Sequence, residues 1–177
     1  MLKVAITGNI ASGKSVVENY LQELGYKVFD TDKIAHKILE NNTAVKETFG
    51  TCDRKEIAKI VFSNKEKLKL LESIIHPEVK KEILNLFNLD EKVIFVSVPQ
   101  LFESGFDSLF DKIIFISANE NIRLERLMKR NNFTKEEALK RISAQTIEEE
   151  KISKCDYIIY NNNDIEHLKN EINKIIL

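Results

Sequence analysis

The sequence predicts an α/β fold in three layers, in which a parallel sheet of about five strands lies between two layers of helices. Short apolar runs rich in β-branched residues recur along the chain, and segments with the apolar spacing of amphipathic helices separate them. Strands that alternate with helices in this way build βαβ units, whose strands run parallel. The predicted strands are residues 2–7, 27–32, 92–99, 112–117 and 156–161.

The composition indicates one folded chain and argues against several kinds of partner. The 177 residues, of which 43% are hydrophobic, suffice for one core with a small appended lobe. The 27 basic and 28 acidic residues leave a net charge of −1, which favours neither nucleic acid nor an anionic membrane as the main partner. No apolar stretch approaches the roughly 20 residues of a membrane span, and the opening residues do not resemble a signal peptide.

The two cysteines, Cys52 and Cys155, lie far apart in the sequence and lack the spacing of metal ligands. We therefore expect two reduced thiols, as in a cytoplasmic protein. We also expect the protein to be a monomer or a weak homo-oligomer.

The first 32 residues predict a strand, a turn of small residues, a helix and a second strand. Residues 2–7 are apolar and β-branched, as in a buried strand. From Ser15 onward the apolar residues recur at helical spacing, and Gly25 is placed to end that helix. Residues 27–32 form the second strand, which ends in two acidic residues.

Residues 32–90 are almost wholly helical in pattern and predict a helical insert. Gly50 is a helix stop signal, and Asp53 and Asn64 are candidate N-caps of the helices that come after them. His76-Pro77 predicts either a helix start or a kink. Because a long helical insertion between early strands is a natural cover for a substrate, we expect this insert to bind the substrate.

The rest of the chain predicts the remaining strands, a helical lid and a closing helix. Residues 92–99 are apolar on both faces, so we expect this strand to be central. Residues 119–154 are helical with a cap at Thr134, and we expect them to form the lid. The whole chain is then one domain whose core comprises residues 1–31, 91–118 and 155–177.

Residues 8–15, Gly-Asn-Ile-Ala-Ser-Gly-Lys-Ser, match the phosphate-loop pattern G-x-x-x-x-G-K-[ST] at every fixed position. Gly8 and Gly13 permit backbone angles and close approaches that a side chain would block, so successive N–H groups form an anion-binding concavity. We expect Lys14 to reach the β- and γ-phosphates of ATP and Ser15 to supply a hydroxyl ligand for Mg²⁺. The alternative is a tight glycine turn that carries a surface lysine.

This motif makes the expected architecture a P-loop NTPase-like three-layer fold with a helical substrate-binding insert and a helical lid. The expected contacts to the nucleotide come from one continuous run of residues. They are Gly8, Asn9, Ile10, Ala11, Ser12, Gly13, Lys14, Ser15 and Val16.

The phosphate loop by itself does not separate a kinase from a GTPase or a motor ATPase. A GTPase would usually carry Asn-Lys-x-Asp, and neither Asn64-Lys65 nor Asn173-Lys174 is followed by the required aspartate. A motor ATPase normally needs a larger core and an acidic pair after a central strand, whereas no acid immediately follows residues 92–99. The class that remains is the small-molecule kinases.

Further motifs come after the loop in order over nearly the whole chain. They are Thr7 to Ser15 (TGNIASGKS), Asp30-Thr31-Asp32, residues 71–77 (LESIIHP), residues 99–103 (PQLFE), Arg126, Arg130, Arg141, Gln145, and Asn161 after the last strand. With these motifs the chain resembles the dephospho-coenzyme A kinases, which complete the synthesis of coenzyme A. The resemblance implies ATP and Mg²⁺ as cofactors and dephospho-coenzyme A as the small-molecule substrate. It also implies transfer of the γ-phosphoryl of ATP to the 3′-hydroxyl of the substrate's ribose.

The resemblance further implies roles for individual residues. Asp32 is the expected catalytic base at the ribose hydroxyl, although its position at a strand end is equally that of a helix N-cap. Arg130, with Arg126 one turn earlier on the same helix face, is expected to join Lys14 in neutralising the transferring phosphoryl. The alternative for these arginines is a solvated charged face. Asn161 is expected near the adenine, or else is a polar turn residue.

Several positions depart from the family pattern. Asn9 stands in place of a glycine, His36 in place of an arginine, Ser97 in place of an aspartate and Arg123 in place of a glutamine, and Asn162 and Asn163 follow the last strand where a glycine would be usual. Two other functions therefore stay open at this point. One is a nucleoside, nucleotide or shikimate-type kinase, and the other is a nucleotide-binding regulatory protein without transfer activity.

Overall fold

The computed structural model describes residues 1–62, 64–145 and 148–176. In chain order the elements are β1 Leu2–Gly8, α1 Lys14–Glu23, β2 Lys27–Asp30, α2 Thr31–Glu40, α3 Thr43–Phe49, α4 Arg54–Phe62, α5 Lys65–Leu86, β3 Val93–Ser97, β4 Lys112–Ser117, α6 Glu120–Asn131, α7 Lys135–Ser143, α8 Glu148–Ile152, β5 Tyr157–Tyr160 and α9 Ile165–Ile176. Within the described ranges no helix combines the length and the apolar character that crossing a bilayer requires.

The five strands form one sheet in the order β2-β3-β1-β4-β5. Strand β1 pairs in parallel with β3 on one side and with β4 on the other, so that Ile6 lies opposite both Ser97 and Ile114. This topology confirms the predicted α/β fold with a five-stranded parallel sheet flanked by helices. The strand predicted to be central, β3, is interior but lies beside β1, which takes the middle position. An apolar pattern reports burial on both faces, which all interior strands share.

One hydrophobic core cluster joins the sheet to α1 and α9. Val17 and Leu21 of α1 and Leu168 and Ile172 of α9 are each at most 2% exposed and pack with Ile6 of β1. Burial of such a side chain stabilises a fold by about 1.5–3 kcal/mol. This packing fixes α1 against β1 and so fixes the loop that joins them.

The chain divides into two compact units. Residues 1–29 together with 91–177 form the first unit, and residues 30–90 form the second. In the second unit α2, α3 and α4 each pack against the long helix α5. The buried apolar residues of this unit are Leu39, Val45, Ile57, Ile75, Val79 and Ile83.

The predicted helix-end signals are confirmed. Gly25 and Gly50 come after α1 and α3 with φ angles of 89° and 79°. At the starts of α4, α5 and α7 the side chains of Asp53, Asn64 and Thr134 accept hydrogen bonds from backbone N–H groups. These signals were legible in the sequence because a cap bonds to backbone only two or three residues away.

Two predicted element boundaries are wrong. Strand β2 ends at Asp30 rather than at residue 32, because Asp30 caps α2, which begins at Thr31. Of the two alternatives predicted at His76-Pro77, the helix start is wrong, because α5 is continuous from Lys65 to Leu86 and contains the proline. Buried residues on both sides of the proline, Ile75 and Val79, hold the helix together although proline cannot donate its backbone hydrogen bond.

Candidate active site

The phosphate-loop motif lies where β1 ends and α1 begins. Three of its residues have positive φ angles: Gly8 at 155°, Ala11 at 60° and Gly13 at 102°. Gly13 is the N-cap residue of α1, and no side chain among the described residues caps that helix. Because the N-terminus of α1, with the positive end of its helix dipole, lies at this loop, the loop is a favourable place for an anion.

Close packing requires both glycines of the motif. A Cβ atom on Gly8 would lie 2.3 Å from the carbonyl oxygen of Ile116 in β4. A Cβ atom on Gly13 would lie 2.1 Å from the side-chain nitrogen of Asn161. Both distances are shorter than real Cβ contacts, so the loop can approach its neighbours this closely only with glycine.

The side chain of Lys14 folds back over the loop. Its Nζ donates a hydrogen bond to the carbonyl oxygen of Gly8 at 3.0 Å. The first turn of α1, which the structure describes in full, contains no acidic residue. A cation that lies over this loop, at the start of a helix whose first turn carries no acid, suits a polyphosphate.

Arg126 of α6 and Asn161 after β5 both bond to the second half of the loop. The Nη1 of Arg126 donates to the carbonyl oxygens of Ala11 and Ser12 at 3.4 and 3.2 Å, and its Nη2 donates to that of Asn161 at 3.0 Å. Asn161 in turn donates from Nδ2 to the carbonyl of Ser12 at 2.8 Å. Burial lowers the pKa of Arg126, although a guanidinium remains charged in proteins.

The first half of the loop is held by Gln145, which comes shortly after α7, and by Glu148, the first residue of α8. Gln145 accepts a hydrogen bond from the backbone N–H of Ile10 at 2.8 Å. Glu148 accepts one from Nδ2 of Asn9 at 2.8 Å, and its other oxygen accepts the hydroxyl of Ser117 at the end of β4. The loop is therefore fixed from two directions by residues that lie more than 100 positions after it.

The other two arginines of α6 have different surroundings. Arg130 is exposed, and its Nε donates to the side chain of the neighbouring Asn131 at 2.8 Å. Arg123 is only 7% exposed, and its Nε and Nη1 have no hydrogen-bond partner within the described part of the chain. It borders a cavity of about 870 Å³ that Asn9 and Glu148 also line. Arg130 is thus the arginine of α6 whose side chain is open to solvent.

Ser97 and Glu18 form a polar pair beside the loop. Ser97 is the last residue of β3 and is 1% exposed. Its hydroxyl donates to Oε1 of Glu18 at 2.6 Å. Glu18 follows Ser15 by three residues on α1, so the two side chains share one face of that helix. A hydroxyl and a carboxylate supply oxygen donors, which are the ligands that Mg²⁺ prefers.

In the second unit the two aspartates of the Asp-x-Asp motif have distinct positions. Asp30 is the N-cap of α2, and its Oδ1 accepts the backbone N–H of Asp32 at 2.8 Å. Asp32 lies within the first turn of that helix and is exposed. The alternative in which Asp32 is the cap is therefore wrong, because Asp30 fills that role.

Sequence reasoning missed Glu18 and Glu148. Glu18 has a signal that could have been found, because it follows the loop serine at the helical spacing of three. Glu148 lies in a run of three glutamates, and nothing local distinguishes it from Glu149 or Glu150. Gln145 was recognised through the motif, whereas its bond to the loop backbone depends on the tertiary structure.

A family model described as Dephospho-CoA kinase matches residues 2–167. This chain belongs to the dephospho-CoA kinase family. Among curated members, the Dephospho-CoA kinase of Fusobacterium nucleatum is 42% identical over 185 residues, which cover 97% of this chain and 95% of that protein. The predicted function, an ATP-dependent kinase at the last step of coenzyme A synthesis, is confirmed by this membership.

Solved structures of similar proteins agree with the family. A crystal structure from Thermus thermophilus is 34% identical with a TM-score of 0.88, and the match covers 99% of this chain and 96% of that one. The dephospho-CoA kinase of Campylobacter jejuni is 35% identical with a TM-score of 0.76, and the match covers 98% and 94% of the two chains.

A shikimate kinase from Bacteroides thetaiotaomicron has a TM-score of 0.57 at 14% identity, with 98% of this chain and 95% of that one covered. That likeness shows the fold alone.

Proposed function

We propose that the chain transfers the γ-phosphoryl of ATP to the 3′-hydroxyl of the ribose of dephospho-CoA and releases coenzyme A and ADP. The observation that supports this most directly is the phosphate loop with Lys14 folded over it, in a chain that matches the family over residues 2–167. We further propose that the reaction takes place in the cytoplasm, in a monomer or weak homo-oligomer, without nucleic acid or membrane.

The loop and its cations bind and stabilise the polyphosphate. The loop residues Gly8 to Val16 and the positive end of α1 hold the phosphates, and Lys14 neutralises the β- and γ-phosphates. Arg130, which is open to solvent, adds positive charge as negative charge develops on the transferring group. Arg126 and Asn161 keep the loop in shape through their bonds to its carbonyls and contact the nucleotide.

Asp32 is the proposed catalytic base. An exposed carboxylate orients the ribose hydroxyl and accepts its proton as the phosphoryl is transferred. The cap from Asp30 holds the backbone of Asp32 in the first turn of α2.

Mg²⁺ is part of the proposal. Ser15 is the loop hydroxyl that would hold it, and the oxygen donors at Ser15 and Glu18 fit such a cation. When bound, the ion neutralises charge on the β- and γ-phosphates of ATP.

An ADP-release assay with Mg²⁺-ATP and a panel of acceptors tests the activity. We expect ADP formation that depends on dephospho-CoA, and none with shikimate, nucleosides or nucleotides. Turnover with one of those acceptors alone would assign the chain to the rival kinases. ATP binding without ADP formation for any acceptor would support the regulatory alternative.

The Asp32→Asn variant tests the base. We expect kcat to fall by about 10²–10⁴-fold because the proton acceptor is lost, while the dissociation constant for ATP stays unchanged. Asp53→Asn is the matched control, since Asp53 is an exposed aspartate in the same unit and asparagine still caps α4. A variant with unchanged kcat would remove Asp32 from the chemistry.

A further inference from the structure

The strands on either side of the phosphate-loop strand end without an acidic residue. β3 ends at Ser97 and continues with Val98 and Pro99, and β4 ends at Ser117 and continues with Ala118. Phosphate-loop enzymes commonly hold Mg²⁺ between the loop serine or threonine and an aspartate on a neighbouring strand. In this chain no such strand-end carboxylate accompanies Ser15.

A carboxylate reaches the end of β3 from the helix α1. Glu18 extends from α1, and its Oε1 accepts the hydroxyl of Ser97 at 2.6 Å. Ser97 is almost fully buried and Glu18 is partly buried, so this hydrogen bond lies in a sheltered place where it has more strength than at the surface. The chain thus has an acid at the carboxyl end of β3, supplied by the helix rather than by the strand.

We propose that Glu18 is the carboxylate that serves the Mg²⁺ of the phosphate loop, and that Ser97 is the positioning residue that holds it. The inference rests on the proposed function, because it concerns the cation that accompanies ATP. Glu18 lies one helical turn after Ser15 on the same face of α1, so both oxygen donors are presented by one rigid element. The hydrogen bond from Ser97 orients this carboxylate at the end of β3.

Electrostatics explains why a glutamate at position 18 is compatible with a serine, but not with an aspartate, at position 97. An aspartate at position 97 would place a second negative charge against Glu18, and like charges at that distance disfavour ionisation of both groups. A serine at position 97 instead donates a hydrogen bond to the ionised carboxylate. One acid can therefore be placed at this point in two equivalent ways. Either position 18 is a glutamate and position 97 a serine, as in this chain, or position 18 is neutral and position 97 is an aspartate.

Mn²⁺ binding to the protein–ADP complex, measured by electron paramagnetic resonance, tests the proposal without catalysis. We expect Glu18→Gln to raise the dissociation constant for Mn²⁺ about tenfold or more, which is the usual effect of losing a group that supports a metal. Glutamine still accepts the hydrogen bond from Ser97, so the variant removes charge and keeps the contact. The dissociation constant for ADP in EDTA should not change.

Three further variants complete the test. Glu23→Gln is the matched control, because Glu23 is an exposed glutamate at the end of the same helix, paired with Lys169, and its loss should leave Mn²⁺ binding unchanged. Ser97→Ala keeps the carboxylate without its hydrogen bond and should weaken Mn²⁺ binding less than Glu18→Gln does. Ser97→Asp should weaken binding in the natural chain and restore it in the Glu18→Gln background.

A Glu18→Gln variant that binds Mn²⁺ within twofold of the natural protein would overturn the proposal. A double variant that binds Mn²⁺ no better than Glu18→Gln would overturn the equivalence of positions 18 and 97. Failure of the natural protein to bind ADP in EDTA would instead count against the phosphate-loop function and is measured separately.

Discussion

Gly13 and Asn161 show how one residue of the loop is dictated by another that lies far away in the sequence. The side chain of Asn161 occupies the place where a Cβ of Gly13 would be, 2.1 Å from its nitrogen, and donates to the carbonyl of Ser12. Two constraints therefore act on Gly13: its φ angle is positive, and a neighbouring atom occupies its Cβ position. Substitutions can separate the two effects, because Gly25 has a positive φ angle without a close neighbour.

Gly13→Ala should weaken ATP binding by about tenfold or more, since the new methyl group displaces Asn161 from the loop it supports. The positive φ adds a strain of about 1–3 kcal/mol to the folded state. Gly25→Ala is the control, because Gly25 has φ 89° with no atom within 4 Å of its Cβ position. Both variants should lower the melting temperature, and only Gly13→Ala should raise the dissociation constant for ATP. Equal ATP affinity in the two variants would argue against the role of Asn161.

The junction of β4 and β5 illustrates stabilisation at the level of elements. Asp156 lies just before β5. Its carboxylate accepts a hydrogen bond from the ammonium of Lys112 at 2.7 Å and another from the backbone N–H of Ile113 at 2.8 Å. The hydrogen bond from Lys112 is the main cause that lowers the pKa of Asp156, and the same bond raises the pKa of Lys112. A charged pair thus fixes the register at the start of the edge strand.

These two shifts determine how stability depends on pH. Asp156 adds stability that is present above its unfolded pKa and is lost as the pH falls through its lowered folded pKa. Lys112 adds stability that is present below its unfolded pKa and is lost as the pH rises through its raised folded pKa. The pair therefore stabilises the protein between roughly pH 4 and pH 10.

Asp156→Asn should be less stable than the natural protein at pH 7, and the difference should shrink on acidification below about pH 3–4, where the natural carboxylate is also protonated. Asparagine can still accept from the N–H of Ile113, so the variant isolates the charge. Urea unfolding of both proteins across this pH range measures the difference. Because the pair is largely exposed, high salt should reduce the difference at pH 7. A difference that is independent of pH would contradict the assignment.

At the scale of the whole molecule, the order of the strands in the sheet places the phosphate loop beside the residues that hold it. β1 lies between β3 and β4, so the loop after β1 is flanked by the carboxyl ends of those two strands. Arg126 and Asn161 donate hydrogen bonds to the loop, and Gln145 and Glu148 accept hydrogen bonds from it. A ligand that binds this loop is therefore coupled to the folding of the whole first unit.

ATP should stabilise the protein against heat. A ligand at one hundred times its dissociation constant adds about 2.7 kcal/mol, which corresponds to a rise of roughly 5–10 °C in the melting temperature of a chain of this size. AMP lacks the β- and γ-phosphates that we propose Lys14 binds, so it should give a much smaller shift at the same concentration. Lys14→Met should abolish most of the shift from ATP. Equal shifts from ATP and AMP would show that the phosphates are not held as proposed.

The sequence by itself determined the strands, most helix ends and the phosphate loop. Caps at Asp53, Asn64 and Thr134 bond to backbone two or three residues away, and the loop motif is contiguous, so each signal is complete within a short window. The boundary at Asp30 and the continuity of α5 through Pro77 were decided by competition between such local signals and packing.

Only the tertiary structure decided which distant residues serve the loop. The hydrogen bonds concerned join residues that are between 79 and 139 positions apart. They link Arg126 to the loop carbonyls, Glu148 to Asn9 and Ser97 to Glu18. Periodicity and capping rules depend on neighbours along the chain, whereas these contacts exist because parallel strands place their carboxyl ends at one edge of the sheet. The sequence therefore determined the phosphate-binding chemistry, and the order of the strands decided which side chains surround it.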